Sequence, residues 1–253
     1  MPLDLAAIRA ALPDRHIVWL ETCASTMTEA ARLAVSGCAS GSAVVAEEQT
    51  AGQGRYQRTW HSQREAGLYL SIVLRLALAE ESARVVTLAL GLATAEAIAR
   101  ATDLRPDLRW PNDVLIGDRK CAGILVQVES SALIAGIGIN VNQAAFAPEI
   151  AASATSLRLA SGRPHAREPL LVHLLETVDS FTRMLADGGR GPILRMFARA
   201  SSYVLGKRVV VDQGGSAIEG VTDGLDESGF LVVRRPDGTR TTILAGGVRA
   251  QCS

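Results

Sequence analysis

Two glycines and two arginines stand close together in residues 48–60, directly after an apolar run. The glycines are Gly52 and Gly54, and the arginines are Arg55 and Arg58. Glycine lets backbone N–H groups approach a ligand closely, and a guanidinium stays charged and binds phosphate or carboxylate oxygens in pairs. The tract predicts an anion-binding loop, although its composition fits an exposed arginine-bearing hairpin equally well.

The loop matches neither of two familiar phosphate-binding patterns. No Gly-Lys-Ser/Thr sequence follows the glycines at the spacing of a P-loop. Gln57 stands where a dinucleotide fingerprint has its third glycine,. Both classes of nucleotide site are therefore excluded for this loop.

A carboxylate and an ammonium follow further along the chain. Asp113 ends the sequence Arg-Trp-Pro-Asn-Asp, and Lys120 lies within Arg-Lys-Cys-Ala-Gly-Ile-Leu. Residues 114–116 and 124–128 are typical of two strands joined by a tight turn at 117–118, so Asp113 and Lys120 should lie near each other on a hairpin. Such a pair can flank a polyphosphate and its metal, whereas each residue alone is more typical of a turn or a solvated hairpin.

Together these tracts resemble the biotin protein ligase family, and the resemblance covers essentially the whole chain. It is carried by Ser25-Thr26, residues 49–60, Gly67-Leu68-Tyr69-Leu70-Ser71, residues 110–113, residues 119–125 and Gly136-Ile137-Gly138-Ile139-Asn140. The resemblance implies an α+β catalytic fold, shared with lipoate ligases and distantly with class II aminoacyl-tRNA synthetases. It also implies a small SH3-like β-barrel at the C-terminus.

The activity that the resemblance implies is ATP-dependent protein biotinylation. Biotin and ATP, with Mg²⁺, would give biotinyl-5′-AMP, and a lysine of a biotin carboxyl carrier domain, that of acetyl-CoA carboxylase, would then accept the biotinyl group. The implied catalytic residues are Lys120, Arg55 and Asp113, and Asp113 is also the implied metal-facing carboxylate. The implied biotin-binding residues are Ser25, Thr26, Gln49, Gly52, Arg55, Lys120, Gly123, Gly136 and Gly138. The implied ATP-binding residues are Arg55, Arg58, Trp60, Asn112, Lys120 and Asn140.

Four positions depart from the commoner pattern of the family. Met27 replaces an asparagine, Gln53 an arginine, Gln57 a glycine and Gln127 a glutamate. None of these changes removes a catalytic charge. Gln57 makes the loop tip less permissive than glycine would, so loop closure is expected to differ in detail.

Two alternative functions follow from the same residues. A lipoate or octanoate ligase shares the adenylation logic, but its apolar tunnel does not need the polar groups of Ser25, Thr26 and Gln49. A non-catalytic sensor of biotin or nucleotide would not need Lys120 and two arginines to activate an α-phosphate.

Length and composition limit the classes of protein to which the chain can belong. The chain has 253 residues, 48% of them hydrophobic, and a formal net charge of zero with dispersed basic residues, so we expect no nucleic-acid or membrane partner,. Its four cysteines (Cys23, Cys38, Cys121 and Cys252) lack metal-site spacing, which favours reduced thiols and a cytoplasmic location,. The catalytic pattern begins almost at once, so the resemblance implies a short form without the winged-helix DNA-binding domain, with no repressor function, as a monomer or homodimer.

Hydrophobic periodicity predicts the elements that must position these residues. Helices are predicted at 3–12, 26–35, 82–100, 168–186 and 191–200, and strands at 16–21, 42–49, 68–76, 109–110, 114–116, 124–128 and 133–140. Thr26 and Glu29 form the pattern of a capping box at the start of the second helix. The strands are expected to form a mixed, mostly antiparallel sheet with helices on one side.

After Tyr203 the pattern changes to short β runs separated by turn sequences. Strands are predicted at 208–212, 217–223, 230–234 and 240–244, with turns at 214–215, 227–229 and 236–238. We therefore assign residues 1–202 to a catalytic domain that binds biotin and ATP, and residues 203–253 to the SH3-like domain.

Overall fold

The computed structural model describes residues 2–78, 80–213 and 216–251. A seven-stranded mixed sheet with packed helices is followed along the chain by a five-stranded antiparallel sheet. The α+β class is confirmed. Cys252 and the turn predicted at 214–215 lie outside the described residues. Within the described ranges, no helix has the length and apolar character needed to cross a lipid bilayer.

The elements agree closely with the predicted ones, apart from their ends. The helices are α1 (Leu5–Ala11), α2 (Thr26–Val35), α3 (Glu80–Ala83), α4 (Val86–Ala101), α5 (Pro148–Ala151), α6 (Leu157–Ser161), α7 (Arg167–Gly188) and α8 (Arg190–Ala200). The strands of the large sheet are β1 (Ile17–Cys23), β2 (Ala43–Gln49), β3 (Gly67–Leu74), β4 (Asp107–Arg109), β5 (Asp113–Ile116), β6 (Arg119–Glu129) and β7 (Ala132–Asn140). The strands of the small sheet are β8 (Leu205–Asp212), β9 (Ala217–Leu225), β10 (Leu231–Arg234), β11 (Arg240–Ile243) and β12 (Gly247–Ala250).

Three differences from the sequence-based prediction are evident. The helix predicted at 82–100 is broken, because α3 ends before residue 84 and α4 begins at Val86. The short helices α5 and α6 were not predicted, and neither was β12. These elements are only four or five residues long, so they contain too few residues to show a hydrophobic period.

The large sheet has the strand order β1-β2-β3-β7-β6-β5-β4. β1 and β2 run parallel, and the other neighbours are antiparallel. In this register Ser71 of β3 lies opposite Gly136 of β7, and Gly138 lies between Tyr69 of β3 and Gly123 of β6. Gly123, Gly136 and Gly138 thus lie close together at the centre of the sheet.

Helices cover both faces of this sheet, so the prediction that they lie on one side is wrong. The paired residues Val73 and Ile134 pack in a cluster with Met27 of α2. Their neighbours Ile72 and Ala135 belong to the main core, which also contains the buried residues of α4 and α7. Because adjacent strand residues point to opposite faces, α2 lies on one face and the two long helices on the other. Strands that are apolar on both faces need this double cover.

A buried ion pair ties the N-terminal segment to the sheet and to α7. Arg167 and Glu47 are 4% and 1% exposed, and their nearest nitrogen and oxygen are 2.7 Å apart. Arg167 also donates to the carbonyl of Gly67, and Glu47 accepts from the backbone N–H of Leu3 at 2.6 Å. These extra hydrogen bonds compensate the desolvation of both charges, so loss of either partner would be strongly destabilising.

Candidate functional site

A floor of glycine backbone lies on the face of the sheet that α2 partly covers. A Cβ added to Gly138 would overlap the indole of Trp60, and one added to Gly136 would lie 2.5 Å from the Met27 sulfur. Only glycine permits such close approach at these two positions. The sequence at 136–140 therefore provides a flat surface on which a ring can lie.

Trp60 lies on that floor and fills much of the space above it. The cavity that remains has about 50 Å³ of free volume, whereas pockets for small molecules commonly measure roughly 300–1,000 Å³. Trp60 belongs to the arginine loop, which closes on itself through a hydrogen bond of 2.7 Å from Gly54 N–H to the carbonyl of Arg58. A ligand of ordinary size requires this loop or the indole to move.

Polar groups form one wall of the cavity, above β2 and β3. Gln49 Oε1 accepts from Thr26 N–H at 2.8 Å and from the Thr26 hydroxyl at 3.0 Å. The same hydroxyl lies 2.8 Å from that of Ser71, and Gln49 Nε2 donates to Ser62 at 2.9 Å. This wall offers several donors and acceptors within a small volume, as recognition of a polar ring requires.

The predicted capping box at Thr26 is wrong, because the cap of α2 is one residue earlier. Ser25 is the N-cap, and its side chain accepts from the N–H of Met27 at 3.3 Å. Glu29 binds Arg32 instead of reaching back. The preceding serine takes the capping role, which leaves the Thr26 hydroxyl free to face Gln49 and Ser71.

Arg55 stands at the opposite side of the cavity and is held by its neighbours. Its guanidinium donates to Asn112 Oδ1 at 3.0 Å and to the Tyr56 hydroxyl at 3.0 Å, and it lies 4.9 Å from the centre of the Tyr56 ring. Asn112 in turn donates to the carbonyl of Ile124 at 3.0 Å. Arg55 is therefore oriented before any ligand binds.

Lys120 completes this cationic wall. Its ammonium lies 2.6 Å from Asp113 Oδ1 and 5.3 Å from the centre of a Trp60 ring. Asp113 Oδ2 accepts from Arg109 at 2.7 Å. Burial alone would raise the pKa of Asp113, but Lys120 and Arg109 outweigh it and hold the pKa below its usual range. The carboxylate is thus ionised and bound on both oxygens.

The described residues contain no cluster of side chains that would hold a metal ion without help from a substrate. In the described part of the chain there is no group of three or more histidine, cysteine, aspartate or glutamate side chains that could hold a metal. Asp113, the predicted metal-facing residue, has each oxygen bound to a cation. A carboxylate in that state has little affinity left for a divalent ion.

Several predicted site residues lie outside the cavity. Arg58 is exposed and lines a separate cavity of about 470 Å³ against residues 244–247 of the small sheet. Asn140 is buried and donates to the carbonyl of Thr155 at 3.1 Å. Gly52 is buried within the arginine loop, and its carbonyl accepts from Trp60 N–H. The predicted site residues that line the cavity are Thr26, Gln49, Arg55, Trp60, Asn112, Lys120, Gly123, Gly136 and Gly138.

Other residues of the site were missed from the sequence. Ser71 was missed as a wall residue, although it alternates with Val73 on the face that carries Gly136. Tyr56 and Arg109 lie within the tracts described above but were given no role, because their roles depend on contacts with Arg55 and Asp113. Strand alternation could have found Ser71, but nothing in the sequence could have found the other two.

The arrangement suits one kind of ligand. It has a flat glycine floor for a small apolar ring, a polar wall for an amide-like group, and two cations for an anionic end. Preorganised cations of this kind stabilise charge that develops when a carboxylate meets a phosphate. The site can therefore bring two anions together.

Comparison with known proteins identifies relatives of both parts of the chain. Residues 19–143 match the sequence profile of the Biotin/lipoate A/B protein ligase family. Residues 204–248 match that of the Biotin protein ligase C terminal domain. The two profiles cover the large sheet and most of the small one.

Individual relatives span nearly the whole chain. It is 32% identical to the biotin–[acetyl-CoA-carboxylase] ligase of Mycobacterium tuberculosis, over 97% of this chain and 94% of that protein. It is 31% identical to the bifunctional ligase/repressor BirA of Bacillus spizizenii, over 92% of this chain and 74% of that protein. The fold is similar to that of a biotin protein ligase from Aquifex aeolicus in complex with biotin and ATP, with a TM-score of 0.82 and 30% identity over 93% of this chain and 99% of that one.

Proposed function

The chain belongs to the biotin protein ligases of the biotin/lipoate A/B protein ligase family, and from this premise we propose that its cavity joins biotin to ATP and passes the biotinyl group to a carrier protein. The proposal rests on one observation: Arg55, Lys120 and the polar wall of Thr26 and Gln49 line the same cavity above the glycine floor. A ureido ring would exchange hydrogen bonds with the polar wall, and the carboxylate would lie toward the cations.

In the first step a biotin carboxylate oxygen attacks the α-phosphorus of ATP. A carboxyl–phosphate bond forms, the bond between the α-phosphorus and its bridging oxygen breaks, and pyrophosphate leaves. Lys120 and Arg55 reduce the repulsion between the two anions and stabilise the charge that accumulates on the α-phosphate oxygens. One such donor is commonly worth about 3–4 kcal/mol of transition-state stabilisation.

In the second step a lysine amine of the acceptor attacks the acyl carbon of biotinyl-5′-AMP. An amide bond forms, the bond between the acyl carbon and the phosphate oxygen breaks with its electron pair leaving on AMP, and the proton lost by the amine passes to solvent. Asp113 does not line the cavity, so it would act on this step through Lys120, whose ammonium it holds at 2.6 Å. The acceptor that fits this chemistry is a biotin carboxyl carrier domain, such as that of acetyl-CoA carboxylase.

The remaining assignments rest on the family pattern and on position. Ser25 would act as the helix cap behind the ureido ring, while Arg58, Trp60 and Asn140 would reach the nucleotide after the loop has moved. Mg²⁺ would enter with ATP on its phosphate oxygens, because the protein lacks a ready set of ligands within the described residues. Residues 1–202 would form the catalytic domain and residues 203–253 an SH3-like domain that closes over it.

Pyrophosphate release is the direct test of the proposed function. Purified chain is mixed with ATP and Mg²⁺ and given biotin, lipoate or neither, and a carrier domain is then added and weighed by mass spectrometry. We expect release with biotin alone, and a mass gain on one carrier lysine equal to biotin minus water. Release with lipoate alone would indicate a lipoate ligase, and no biotin-dependent release would contradict the proposal.

A further inference from the structure

We propose that Arg109 is a positioning residue, which fixes the ammonium of Lys120 by binding the far oxygen of Asp113. The inference rests on the proposed function, since it assigns to Lys120 the adenylation role given above. Arg109 does not line the cavity. Its action would be indirect, through the carboxylate that it shares with Lys120.

The three side chains are connected through Asp113, and each of its oxygens has its own cation. Lys120 Nζ lies 2.6 Å from Oδ1. Arg109 donates to Oδ2 from two nitrogens, at 2.7 Å and 3.2 Å. The strand register explains this placement, because Arg109 of β4 lies directly opposite Asp113 of β5.

This sharing of the carboxylate controls the position of Lys120. All three side chains are largely buried, with 17% exposure for Arg109 and Asp113 and 29% for Lys120. Without Arg109, both oxygens would be available to Lys120 alone, and the carboxylate would turn toward it. The ammonium would then be drawn from the cavity toward β5. Arg109 prevents this by fixing Oδ2 with charge-assisted hydrogen bonds.

The junction between the two sheets holds Arg109 in place. Its guanidinium lies 5.9 Å from the centre of the Tyr203 ring, and the other cation at that ring is Lys207 of β8, at 5.0 Å. Tyr203 is only 1% exposed. A planar guanidinium packs well against such a ring, so the junction defines where the guanidinium can sit.

The same junction also holds β4 in place through hydrogen bonds. The Ser201 hydroxyl donates to the carbonyl of Leu108 at 2.5 Å, and Ser202 N–H donates to Asp107 Oδ1 at 2.9 Å. The chain that leads from α8 into the small sheet therefore fixes the strand that carries Arg109. Packing of the small sheet is linked in this way to the ammonium in the cavity.

The test compares Arg109→Met with Arg109→Lys in the full chain. Biotin-dependent pyrophosphate release is measured at saturating and limiting ATP and biotin. Displacement of a reacting group by about 1 Å can cost up to about 100-fold in rate. We therefore expect Arg109→Met to lower kcat by about tenfold to about 100-fold, with KM changed by less than about threefold. Arg109→Lys keeps a cation at Oδ2 and should restore most of kcat.

A matched control separates this role from a general loss of structure. The guanidinium of Arg75 also donates hydrogen bonds, to the backbone carbonyls of Cys38 and Ala34, and none of these three residues lines the cavity. Arg75→Met should lower thermal stability without changing kcat per folded molecule. If Arg109→Met keeps the wild-type kcat, or if Arg109→Lys is as impaired as Arg109→Met, the inference is wrong.

A crystal structure of the ligand-free Arg109→Met variant tests the geometry without turnover. We expect the Asp113 carboxylate to rotate and the Lys120 ammonium to move relative to the Trp60 ring. Unchanged positions of both side chains would contradict the inference, even if the wild-type chain proved inactive with biotin. Absence of wild-type activity would instead contradict the proposed function, so the two failures are distinguishable.

Discussion

The guanidinium of Arg55 donates a hydrogen bond of 3.0 Å to the side-chain oxygen of Asn112. This contact joins the arginine loop to the segment between β4 and β5, although the two residues are far apart in the sequence. Asn112 is itself fixed by its bond to the carbonyl of Ile124. The loop is therefore anchored to the floor of the site at the residue proposed to bind both biotin and ATP.

Loss of this anchor should release the activated intermediate. Arg55→Gly removes the bond to Asn112 and the contact with Tyr56, so we expect the loop to open and biotinyl-5′-AMP to escape. The measurement is biotin labelling of lysines on an unrelated protein, such as serum albumin, in the presence of ATP. Labelling should exceed that of the wild type, while Arg235→Gly, at an exposed position in the turn between β10 and β11, should behave like the wild type. Equal acceptor selectivity in the Arg55 variant would contradict the role of the loop.

Lys120 is expected to act on the chemical step, and Arg109 keeps the Asp113 carboxylate paired when the ammonium is removed, so the fold should be kept. Removal of a preorganised donor commonly costs about 3–4 kcal/mol, so Lys120→Ala should reduce biotin-dependent pyrophosphate release several-hundred-fold. Thermal unfolding of the variant, followed by circular dichroism, reports whether the fold is kept. Near-normal release by a folded Lys120→Ala variant would show that the residue has been misassigned.

The glycine floor predicts a steric effect of a single methyl group. In Gly138→Ala the new Cβ overlaps the Trp60 indole, so the ring must leave the floor and the seat for a ligand is obstructed. We expect biotin affinity, measured by calorimetry, to fall at least tenfold, which corresponds to about 1.4 kcal/mol. Gly188→Ala is the control, because its Cβ would meet only ordinary contact with Pro192 at 3.4 Å. Wild-type affinity in Gly138→Ala would rule out a ligand on this part of the floor.

Asp113 should make the fold more sensitive to acid. Its pKa in the folded chain is lowered by Lys120 and Arg109 despite burial, whereas an unfolded aspartate has a pKa of about 3.9. The stabilisation is therefore fully present above about pH 4 to 5 and is lost as the pH falls through the lower folded value. Urea unfolding of the wild type and Asp113→Asn between pH 7 and pH 3 measures it. The difference between the two proteins should shrink toward acid, and a constant difference would contradict the linkage.

Much of the site could be predicted from the sequence because its residues lie in short, distinctive tracts. Gly-Ile-Gly-Ile-Asn specifies a strand with small residues on one face, and the hairpin pattern around residue 117 brings Asp113 and Lys120 together from only a few residues apart. Local periodicity and turn residues determine such features without reference to the rest of the chain.

Contacts between distant parts of the chain could not be predicted in the same way. The sequence did not indicate that Trp60 lies on the glycine floor or that Arg109 shares Asp113 with Lys120. It also gave no sign that Arg167 reaches Glu47 at 2.7 Å. Each of these contacts depends on how helices and strands pack after they form, and a single side chain leaves no periodic signal of its partner.

The sequence by itself determined the types of chemical group and the strands and loops that carry them. Only the tertiary structure decided which groups face one cavity. It placed Thr26, Arg55 and Lys120 around the floor, left Arg58 outside, and gave the capping role to Ser25. The physical reason is that register and packing direction, which fix the face to which each side chain points, are set by the assembled sheet and its covering helices.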